Sequence, residues 1–446
     1  MSATSVPSAN SLGAFLSQQS AYVSYAYSYP HKTAYRVFDT PRPLASLWEG
    51  ERRDALFYYL HIPFCEMRCG FCNLFTQARP DPELPLRYVE SIERQTQVVK
   101  SAVGKATFAR AAFGGGTPTL LEEPLLDRVF DAAESLGVEL GRIPVSLETS
   151  PETATPGRMN LIASRGIERV SMGVQSFIDS ELKSMGRPSR SVSAESALDT
   201  IRAAGIRRVN LDLIYGAGNQ TPDSWLYSLE SAMRWSPDEV FLYPLYVRPL
   251  TGLGKSERSW DDIRRELYRI GRDFLLAQGY AQHSMRLFRR PSQDEAPTYR
   301  CQEDGMVGLG CGARSYTRTV HYSDEWAVGK NSVKSIIANF VARPAESFAQ
   351  VYHGVDVSVA DQKVRYLLKS LLCSEGIDPG PYRAYFGTEP NDDCPQLNEL
   401  VELDLADWES DGALRLTDAG YELSDAIGPW LYGDQVRERM AEFALR

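Results

Sequence analysis

Three cysteines lie close together early in the chain. Cys65, Cys69 and Cys72 follow the spacing C-x3-C-x2-C, and they account for three of the seven cysteines present. Thiolates bind soft transition metals, so this spacing favours a metal site over a set of ordinary buried thiols. An odd and low number of cysteines does not build a disulfide framework, and it indicates a reducing compartment. We therefore expect a metal or redox role for the three residues.

Two kinds of metal site suit a cysteine cluster. A structural zinc ion takes four ligands, usually as two separated pairs. No second pair follows at a suitable distance, and His61, four residues before Cys65, fits the zinc pattern poorly. The alternative is a [4Fe–4S] cluster held by three thiolates, which leaves one iron open to bind a substrate or cofactor. The missing fourth cysteine favours this second interpretation.

Segments with strand and helix patterns alternate after the first fifty residues. Helices are expected over 84–103, 125–136 and 192–204. The expected strands are 56–62, 108–116, 144–150, 167–176, 206–216 and 238–247. Strand–helix units in series predict a parallel sheet with right-handed crossovers. In a βα barrel the chemistry lies at the carboxyl ends of the strands, and the cysteines directly follow the first strand.

Two further features end expected strands. The segment Gly114–Pro118 reads GGGTP, and a tight turn is one interpretation, because glycine adopts backbone angles that other residues avoid. Glu148 ends the third strand in LETSP, where a carboxylate is costly to bury unless it is paired. A strand end exposed to solvent is the alternative for Glu148. The residues alone leave both choices open.

The segment YLHIPFCEMRCGFCNLF (59–75) resembles the cysteine motif of the radical S-adenosylmethionine (SAM) superfamily. Within that superfamily it is similar to the oxygen-independent coproporphyrinogen III oxidase-like (HemN-like) branch, whose motif begins with a similar Y-x-H-I-P-F-C. The resemblance implies that the three cysteines hold a [4Fe–4S] cluster and that SAM binds its open iron. It also implies an α/β fold, a partial (βα)6 TIM-like barrel with a C-terminal helical, winged-helix-like domain.

The same resemblance implies which residues bind the first SAM. In the family, a matching GGGTP lies against the methionine end of SAM, so Gly115, Gly116 and Thr117 are candidate contacts. The family position that matches Glu148 also lies at this SAM. Tyr59 and Phe71 match further positions near it, and ordinary core packing is the alternative for both.

Three more polar residues match positions that border a second SAM in this branch. Gln175 lies in SMGVQSF, Arg187 in MGRPSR and Asp212 in NLDLIYG. Each could be a structural hydrogen-bonding residue if taken singly. Asp212 carries the most weight, because Leu211 and Leu213 flank it. The presence of all three favours two bound SAM molecules.

The resemblance extends over nearly the whole chain and implies four segments. MVGLGCGARSYT (306–317) resembles the glycine-rich return strand of the family, and residues 360–427 resemble its C-terminal domain. The predicted segments are an N-terminal arm (1–50), the radical SAM partial barrel (51–290), the return strand with its connecting region (291–355) and a C-terminal HemN-like domain (356–446).

Residues outside the barrel motifs indicate less about function. The tyrosine-rich stretch YVSYAYSYPHKTAYR (22–36) is interpreted either as an arm that packs on the barrel or as a lid over substrate and cofactor. Cys311 is interpreted as a small buried thiol rather than a fourth cluster ligand or a radical relay. No role is assigned to the scattered residues Cys301, Cys373 and Cys394.

Departures from the family pattern bear on the reaction. The coproporphyrinogen oxidases carry a further cysteine two residues after the motif, where this chain has Leu74. The haem-chaperone relatives carry an HNxxYW-like stretch before the return strand, where this chain reads PTYRCQEDGMVGLG. The pattern that remains resembles the class C radical SAM methyltransferases. We therefore expect methylation or alkylation of an unsaturated small molecule with a second SAM. The alternatives are oxidative decarboxylation of coproporphyrinogen III and a non-enzymatic haem-binding chaperone.

Composition restricts the class of protein. The chain has 446 residues, which suggests two or three domains, and 43% hydrophobic and 24% charged residues, typical of a globular protein. A net charge of −10 argues against general nucleic-acid binding. No apolar run is long enough to span a membrane, and no secretory signal pattern is present. We expect a cytoplasmic protein whose partners are a small-molecule substrate and a reducing electron donor such as flavodoxin or ferredoxin.

Overall fold

The computed structural model describes residues 11–18, 20–26, 28–187, 189–255, 262–291 and 299–444. Residues 1–10 of the predicted N-terminal arm, Tyr27 of its tyrosine-rich stretch, and Pro297 and Thr298 of the stretch compared with the haem chaperones lie outside these ranges. The chain divides into two compact units. The larger unit contains residues 35–281 and 288–356, and the smaller contains the described residues up to Ala34, with 282–287 and 357–443.

The strands are numbered in chain order. They are β1 (Arg36–Pro43), β2 (Leu56–Ile62), β3 (Phe64–Cys65), β4 (Gln77–Ala78), β5 (Phe108–Gly115), β6 (Val145–Thr149), β7 (Arg169–Gln175), β8 (Arg208–Tyr215), β9 (Glu239–Pro244), β10 (Ala281–Gln282), β11 (Leu287–Arg289), β12 (Met306–Leu309), β13 (Arg314–Tyr316), β14 (Val320–Ser323), β15 (Gln350–Asp356), β16 (Ala406–Trp408) and β17 (Leu414–Leu416).

The helices follow the same numbering. They are α1 (Leu12–Gln18), α2 (Leu44–Trp48), α3 (Leu84–Val103), α4 (Glu123–Leu136), α5 (Pro156–Ser164), α6 (Asp179–Ser184), α7 (Ser191–Ala203), α8 (Pro222–Met233), α9 (Arg264–Ala277), α10 (Lys330–Ala342), α11 (Val359–Leu371), α12 (Pro379–Phe386), α13 (Pro390–Asp393), α14 (Gln396–Glu402), α15 (Asp418–Glu422), α16 (Ser424–Trp430) and α17 (Asp434–Ala441).

Six neighbouring parallel strands form the barrel. Their order in the sheet is β2-β5-β6-β7-β8-β9, and each pair runs parallel. These are the six strands that the sequence predicts, and their ends lie within about three residues of the predicted limits. Helices α3, α4, α5, α7 and α8 connect them, which confirms the alternating βα arrangement.

The outer face of this sheet is apolar because helices cover it. In β8, Val209, Leu211 and Leu213 are fully buried. Helix α3 buries a matching stripe at three- and four-residue spacing, from Tyr88 through Ile92 to Val99, as expected of an amphipathic helix against a sheet. The inner face alternates with this pattern and carries the polar and small residues. That inner face differs from the apolar layers that fill a closed TIM barrel.

The sheet continues beyond β2 with a mixed region. Strand β12 pairs in parallel with β2, with Met306 opposite Phe57, and β13, β14, β15 and β1 extend the sheet in antiparallel fashion. The predicted return strand over 306–317 is therefore two strands joined by a turn at 310–313. The chain reverses there, so β13 runs back beside β12.

The smaller unit is mostly helical and gathers distant parts of the chain. It holds α11 to α17 with the two-stranded sheet β16–β17, together with α1. The Tyr29 hydroxyl donates to Asp361 Oδ1 at 2.8 Å, and the Leu12 backbone N–H donates to Glu399 Oε1 at 2.7 Å. The described residues between 11 and 34 thus pack with the C-terminal helices.

A buried ion pair lies within this smaller unit. Arg286 Nη2 donates to both carboxylate oxygens of Asp425, at 2.5 and 2.6 Å, and both side chains are almost fully buried. The Arg286 guanidinium also lies 4.0 Å from the ring centre of Tyr25. Removing one partner of a buried pair leaves an uncompensated charge, so these three residues tie the N-terminal segment to the C-terminal helices.

The helices among the described residues include none that combines the length and the apolar character needed to cross a membrane.

Candidate active site

The cysteine loop is anchored at both ends. After β2, the short strand β3 pairs with β4, and Arg79 donates its backbone N–H to the Cys65 carbonyl at 2.9 Å. Residues 66–76 therefore form a loop at the carboxyl end of β2, and its two ends are held together. The fixed ends limit where the three thiols can lie.

Gly70, in the middle of this loop, touches other parts of the barrel. Its N–H donates to the Met185 carbonyl at 3.1 Å, and its carbonyl accepts from the Leu253 N–H at 2.7 Å. A Cβ at position 70 would lie 2.7 Å from the Met185 oxygen, so a side chain does not fit. The cysteine spacing thus includes a glycine for steric reasons.

The three thiols face one cavity, and each has a polar neighbour. Thr117 Oγ1 donates to Cys65 Sγ at 3.7 Å, and Arg187 Nη1 donates to Cys69 Sγ at 3.6 Å. Cys72 Sγ lies 4.0 Å from the hydroxyl oxygen of Thr76. Donors of this kind stabilise sulfur that carries negative charge, as metal-bound thiolates do.

Burial makes the free thiols poor acids. Burial raises the pKa of Cys65 to about 12, the Cys72 thiol adds to the rise, and the Thr117 hydroxyl opposes it. Burial also raises the pKa of Cys69, while Arg187 opposes the rise. A bound metal reverses this balance because it deprotonates coordinating thiols.

The arrangement of the three thiols favours one kind of metal group. Among the residues that the structure describes, no three His, Cys, Asp or Glu side chains converge closely enough to hold a single metal ion. The three thiols line one cavity, and the sulfurs of Cys65 and Cys69 receive hydrogen bonds from Thr117 and Arg187. This arrangement fits a larger group such as a [4Fe–4S] cluster held by Cys65, Cys69 and Cys72.

The glycine turn and Glu148 meet across neighbouring strands. The Gly115 N–H donates to Glu148 Oε2 at 3.0 Å. Gly115 has a φ of +118°, and a Cβ there would lie 2.6 Å from the His61 ring, so only glycine fits. The Glu148 side chain is open to solvent on the cavity side only. The protein that surrounds its other sides raises the pKa of Glu148 by desolvation, and the Gly115 N–H opposes the rise.

Arg187 bridges the cysteine loop and the barrel. In addition to its contact with Cys69, it donates Nη2 to the Gly173 carbonyl on β7 at 2.7 Å. Its Nε is buried and has no hydrogen-bond partner among the described residues. Gln175 lies nearby with a φ of +72°, and its side chain also faces the cavity. These two residues place polar groups beside the cluster loop.

Asp212 faces the same cavity from β8. Asn210 Nδ2 donates to Asp212 Oδ1 at 2.8 Å and to Ser171 Oγ at 2.7 Å. Burial raises the pKa of Asp212 to about 7, and the Asn210 hydrogen bond opposes this rise while the Glu148 charge adds to it. Near neutral pH this carboxyl group is therefore poised between its two protonation states.

The raised pKa of Asp212 predicts a pH effect on stability. An unfolded aspartate has a pKa of about 3.9, so between about pH 4 and pH 7 only the folded protein keeps this proton. Stability contributed by the proton is then lost as the pH rises through this window. Asp212→Asn cannot ionise. Its melting temperature should exceed that of the wild type by a margin that widens up to about pH 7 and then stays constant, worth at most about 4 kcal/mol.

The measurement is anaerobic thermal unfolding across pH. Asp407→Asn is the matched control, because it removes an exposed carboxylate from β16. If the melting temperatures of the wild type and Asp212→Asn differed by the same amount at every pH, Asp212 would have an ordinary pKa.

Eleven of the twelve predicted site residues line the one cavity. They are Cys65, Cys69, Phe71, Cys72, Gly115, Gly116, Thr117, Glu148, Gln175, Arg187 and Asp212. Phe71 also packs against the buried cluster formed by Leu182, Met185 and their neighbours. The geometry brings together residues that span about 150 positions of sequence. Their contacts with SAM stay a prediction.

Tyr59 is placed differently. It does not belong to the described lining of the cavity. Its hydroxyl lies 3.2 Å from His61 Nδ1, and His61 Nε2 lies 3.0 Å from the Phe75 carbonyl oxygen. Because a carbonyl only accepts, Nε2 carries the proton and Nδ1 accepts from Tyr59. In this structure Tyr59 orients the imidazole that packs under Gly115.

Several cavity residues escaped the sequence analysis. Thr76, Ser171 and Glu152 line the cavity, and Asn210 holds Asp212. The alternation in VNLDL predicts that Asn210 and Asp212 share one strand face, so Asn210 could have been found from the sequence. Thr76 follows the cysteine motif without a periodic signal. Cys311 is buried, donates to the Tyr88 hydroxyl at 3.7 Å and does not belong to the described lining.

Comparison with known proteins identifies the class. Residues 59–232 match the family model described as the Radical SAM superfamily. The structure superposes on that titled "Coproporphyrinogen III oxidase (HemN) from Escherichia coli is a Radical SAM enzyme" with a TM-score of 0.72, covering 87% of this chain and 92% of that one at 21% identity. Residues 59–232 therefore match the Radical SAM superfamily, and the chain has the fold of HemN.

Sequence relatives define the branch. Heme chaperone HemW of Escherichia coli is 25% identical over 359 residues, which are 78% of this chain and 90% of the relative. Oxygen-independent coproporphyrinogen III oxidase of Paracoccus denitrificans is 29% identical over 57% of each chain. Radical S-adenosyl methionine domain-containing protein 1 of Bos taurus is 32% identical over 59% of this chain and 61% of the relative. The chain is thus similar both to a protein named as an enzyme and to proteins named as chaperones.

Proposed function

We propose that this protein is an enzyme that reductively cleaves SAM at a [4Fe–4S] cluster held by Cys65, Cys69 and Cys72. One observation carries the proposal: the three thiols share a cavity with the Gly115–Glu148 pair at the carboxyl ends of the barrel strands. That edge of a βα barrel is where catalytic groups are found. The cluster, when bound, supplies the electron that splits SAM into methionine and a 5′-deoxyadenosyl radical.

The chain's own groups bind and orient the cofactor. The glycine turn lets the cofactor approach the backbone closely, while its N–H groups donate to Glu148, the Ile62 carbonyl and the Phe64 carbonyl. Glu148 accepts a hydrogen bond from Gly115 now, and its second oxygen is available to the SAM amino group or ribose. Arg187 holds Cys69 and the Gly173 carbonyl, so it fixes the cysteine loop against β7.

The compartment of the protein and the source of the electron follow from the cluster. Thiol-held iron–sulfur clusters need reducing surroundings, so we place the protein in the cytoplasm. The electron comes from a small reducing protein such as flavodoxin or ferredoxin. The substrate is a small unsaturated molecule that enters the cavity beside Asp212 and Gln175.

For the reaction that follows, we propose methylation or alkylation with a second SAM. Asp212 and Gln175 support it, because both face the cavity and Asp212 is held by Asn210 rather than by the glycine turn. A second SAM bound there would supply the one-carbon group for an sp2 carbon of the substrate, and its methyl group would give up one hydrogen atom to 5′-deoxyadenosine. Asp212 pairs with a polar group of that SAM. The position of Leu74, where the coproporphyrinogen oxidases carry cysteine, weighs against oxidative decarboxylation.

A deuterium experiment tests this scheme. SAM carrying a deuterated methyl group should transfer deuterium to 5′-deoxyadenosine, and S-adenosylhomocysteine should form as well. Asp212→Asn should lose S-adenosylhomocysteine while some uncoupled 5′-deoxyadenosine remains. Mass spectrometry of the products decides the matter. If the substrate turns over and SAM is cleaved without deuterium transfer, the proposed SAM cleavage is supported and the role of a second SAM as methyl donor is refuted.

A second candidate is a haem chaperone. The relatives favour it, because the Escherichia coli protein matched over 90% of its length is named Heme chaperone HemW. Haem titration of the anaerobically reconstituted protein, run beside an assay for 5′-deoxyadenosine, separates the two functions. Stoichiometric haem binding without SAM cleavage would support the chaperone and overturn the enzyme.

A further inference from the structure

Strand β7 is irregular where it reaches the cavity. Gly173 pairs with Asp212 on β8. The following pair joins Gln175 to Leu213, so β7 takes two steps where β8 takes one. Val174 is therefore the extra residue of a β-bulge, and Gln175 follows it with a φ of +72°. Bulges and left-handed backbone at residues other than glycine occur next to active sites, where they redirect a side chain.

The side chain that this bulge redirects is that of Gln175. Leu213, its partner on β8, is fully buried, whereas Gln175 lines the cavity. Gln175 is only 9% exposed, and its carboxamide forms no hydrogen bond with any residue that the structure describes. A largely buried polar group without a partner costs free energy, so we expect this carboxamide to bind a ligand in the cavity.

Gly173 provides the space in which the carboxamide lies. A Cβ at position 173 would lie 2.6 Å from Gln175 Nε2, well inside van der Waals contact. The same Cβ would lie 3.9 Å from Arg187 Nη1, which is an ordinary contact. The Gly173 carbonyl accepts from Arg187 Nη2 at 2.7 Å, and a side chain at position 173 leaves that backbone oxygen in place. Among these close neighbours, only Gln175 would be displaced by a side chain.

We propose that Gly173 is a positioning residue for the second SAM, because its missing side chain leaves room for the Gln175 carboxamide to hydrogen-bond to that ligand. Gly173 acts through Gln175 and supplies no group of its own to the ligand. A carboxamide both donates and accepts hydrogen bonds, so it suits the amino and carboxylate groups at the methionine end of SAM. The inference rests on the proposed function, since it takes the second SAM as the ligand of Gln175.

Equilibrium dialysis of the anaerobically reconstituted full chain against labelled SAM tests the inference. No reductant is added, so SAM stays intact. The wild type should bind two SAM molecules, and Gly173→Ala should bind one of them about tenfold more weakly, as the loss of one or two hydrogen bonds predicts. Iron content should match the wild type, because Arg187 keeps its bonds to Cys69 and to the carbonyl of residue 173. Gly141→Ala is the control, since a Cβ there meets nothing within 4 Å.

A double variant separates positioning from a general disturbance of the barrel. Gln175→Ala should weaken the same SAM site about tenfold. Gly173→Ala combined with Gln175→Ala should match Gln175→Ala alone, because no carboxamide is left to displace. A general disturbance would add the two effects to about a hundredfold and would overturn the inference. If Gly173→Ala alone does not fold, the double variant should fold, since it removes the contact at 2.6 Å, and its failure to fold would also overturn the inference.

The dialysis distinguishes failure of this inference from failure of the proposed function. If Gly173→Ala bound two SAM molecules with wild-type affinities, Gly173 would have no positioning role, while the second SAM itself would be supported. If the wild type bound a single SAM, the second SAM would be refuted, and the role of Gly173 in binding it would be refuted as well.

Discussion

Replacing Cys65, Cys69 or Cys72 singly with alanine should abolish the iron–sulfur cluster while the barrel stays folded. Three thiolates already leave one iron without a protein ligand, so the loss of another leaves too few bonds to hold the cluster. No described cysteine can replace the lost one, because Cys311 is buried against Tyr88 rather than in the cavity. The fold should survive because the loop is anchored by the β3–β4 pair and by Gly70.

Iron and sulfide content after anaerobic reconstitution measures this effect. The wild type should hold about four irons and four sulfides per chain, and each variant close to none. Cys301→Ala is the matched control, since it removes a half-buried thiol outside the cavity lining and should keep the full content. Circular dichroism checks the fold. Full iron content in all three variants would refute the three-thiolate cluster.

The second large effect is expected at the glycine turn. Gly115→Ala should lower the rate of SAM cleavage by about 100-fold, because a displacement of about 1 Å at a positioning group costs that much. The new Cβ would lie 2.6 Å from the His61 ring, and a φ of +118° is strained for alanine. The turn must then shift, and its N–H groups shift with it. Gly115→Val should have a larger effect in the same direction.

The readout is 5′-deoxyadenosine formed per cluster with dithionite as reductant. Gly141→Ala provides the control, because a Cβ there meets nothing within 4 Å. Iron content should stay at the wild-type level in both variants, which separates cofactor positioning from cluster loss. If Gly115→Ala cleaved SAM at the wild-type rate, the GGGTP segment would be only a structural turn.

The sequence predicted the barrel well because its signals are local. Leu211 and Leu213 alternate with Asp212, and such alternation in one strand is enough to assign an apolar outer face and a polar inner face. The cysteine spacing is equally local. Parallel strands then bring their carboxyl ends together, so residues that end different strands were expected to share one site, as the cavity shows.

Contacts between distant segments could not be predicted in this way. Arg187 reaches Cys69 across 118 positions, and no periodic pattern links the two. The direction of the Tyr59 side chain depends on His61 and Phe75, so a motif match alone could not fix it.

The discontinuous smaller unit has a consequence for how the protein is made. The described residues up to Ala34 leave the ribosome early, but the C-terminal helices of their unit begin only at Val359, about 320 residues later. At roughly 5–20 residues per second, the apolar faces of α1 and Tyr29 wait about 16–64 s for the C-terminal helices. The strands of the larger unit emerge and pair during that interval. The nascent chain therefore carries an exposed hydrophobic segment throughout barrel synthesis, and this segment is a natural binding site for chaperones that act on growing chains.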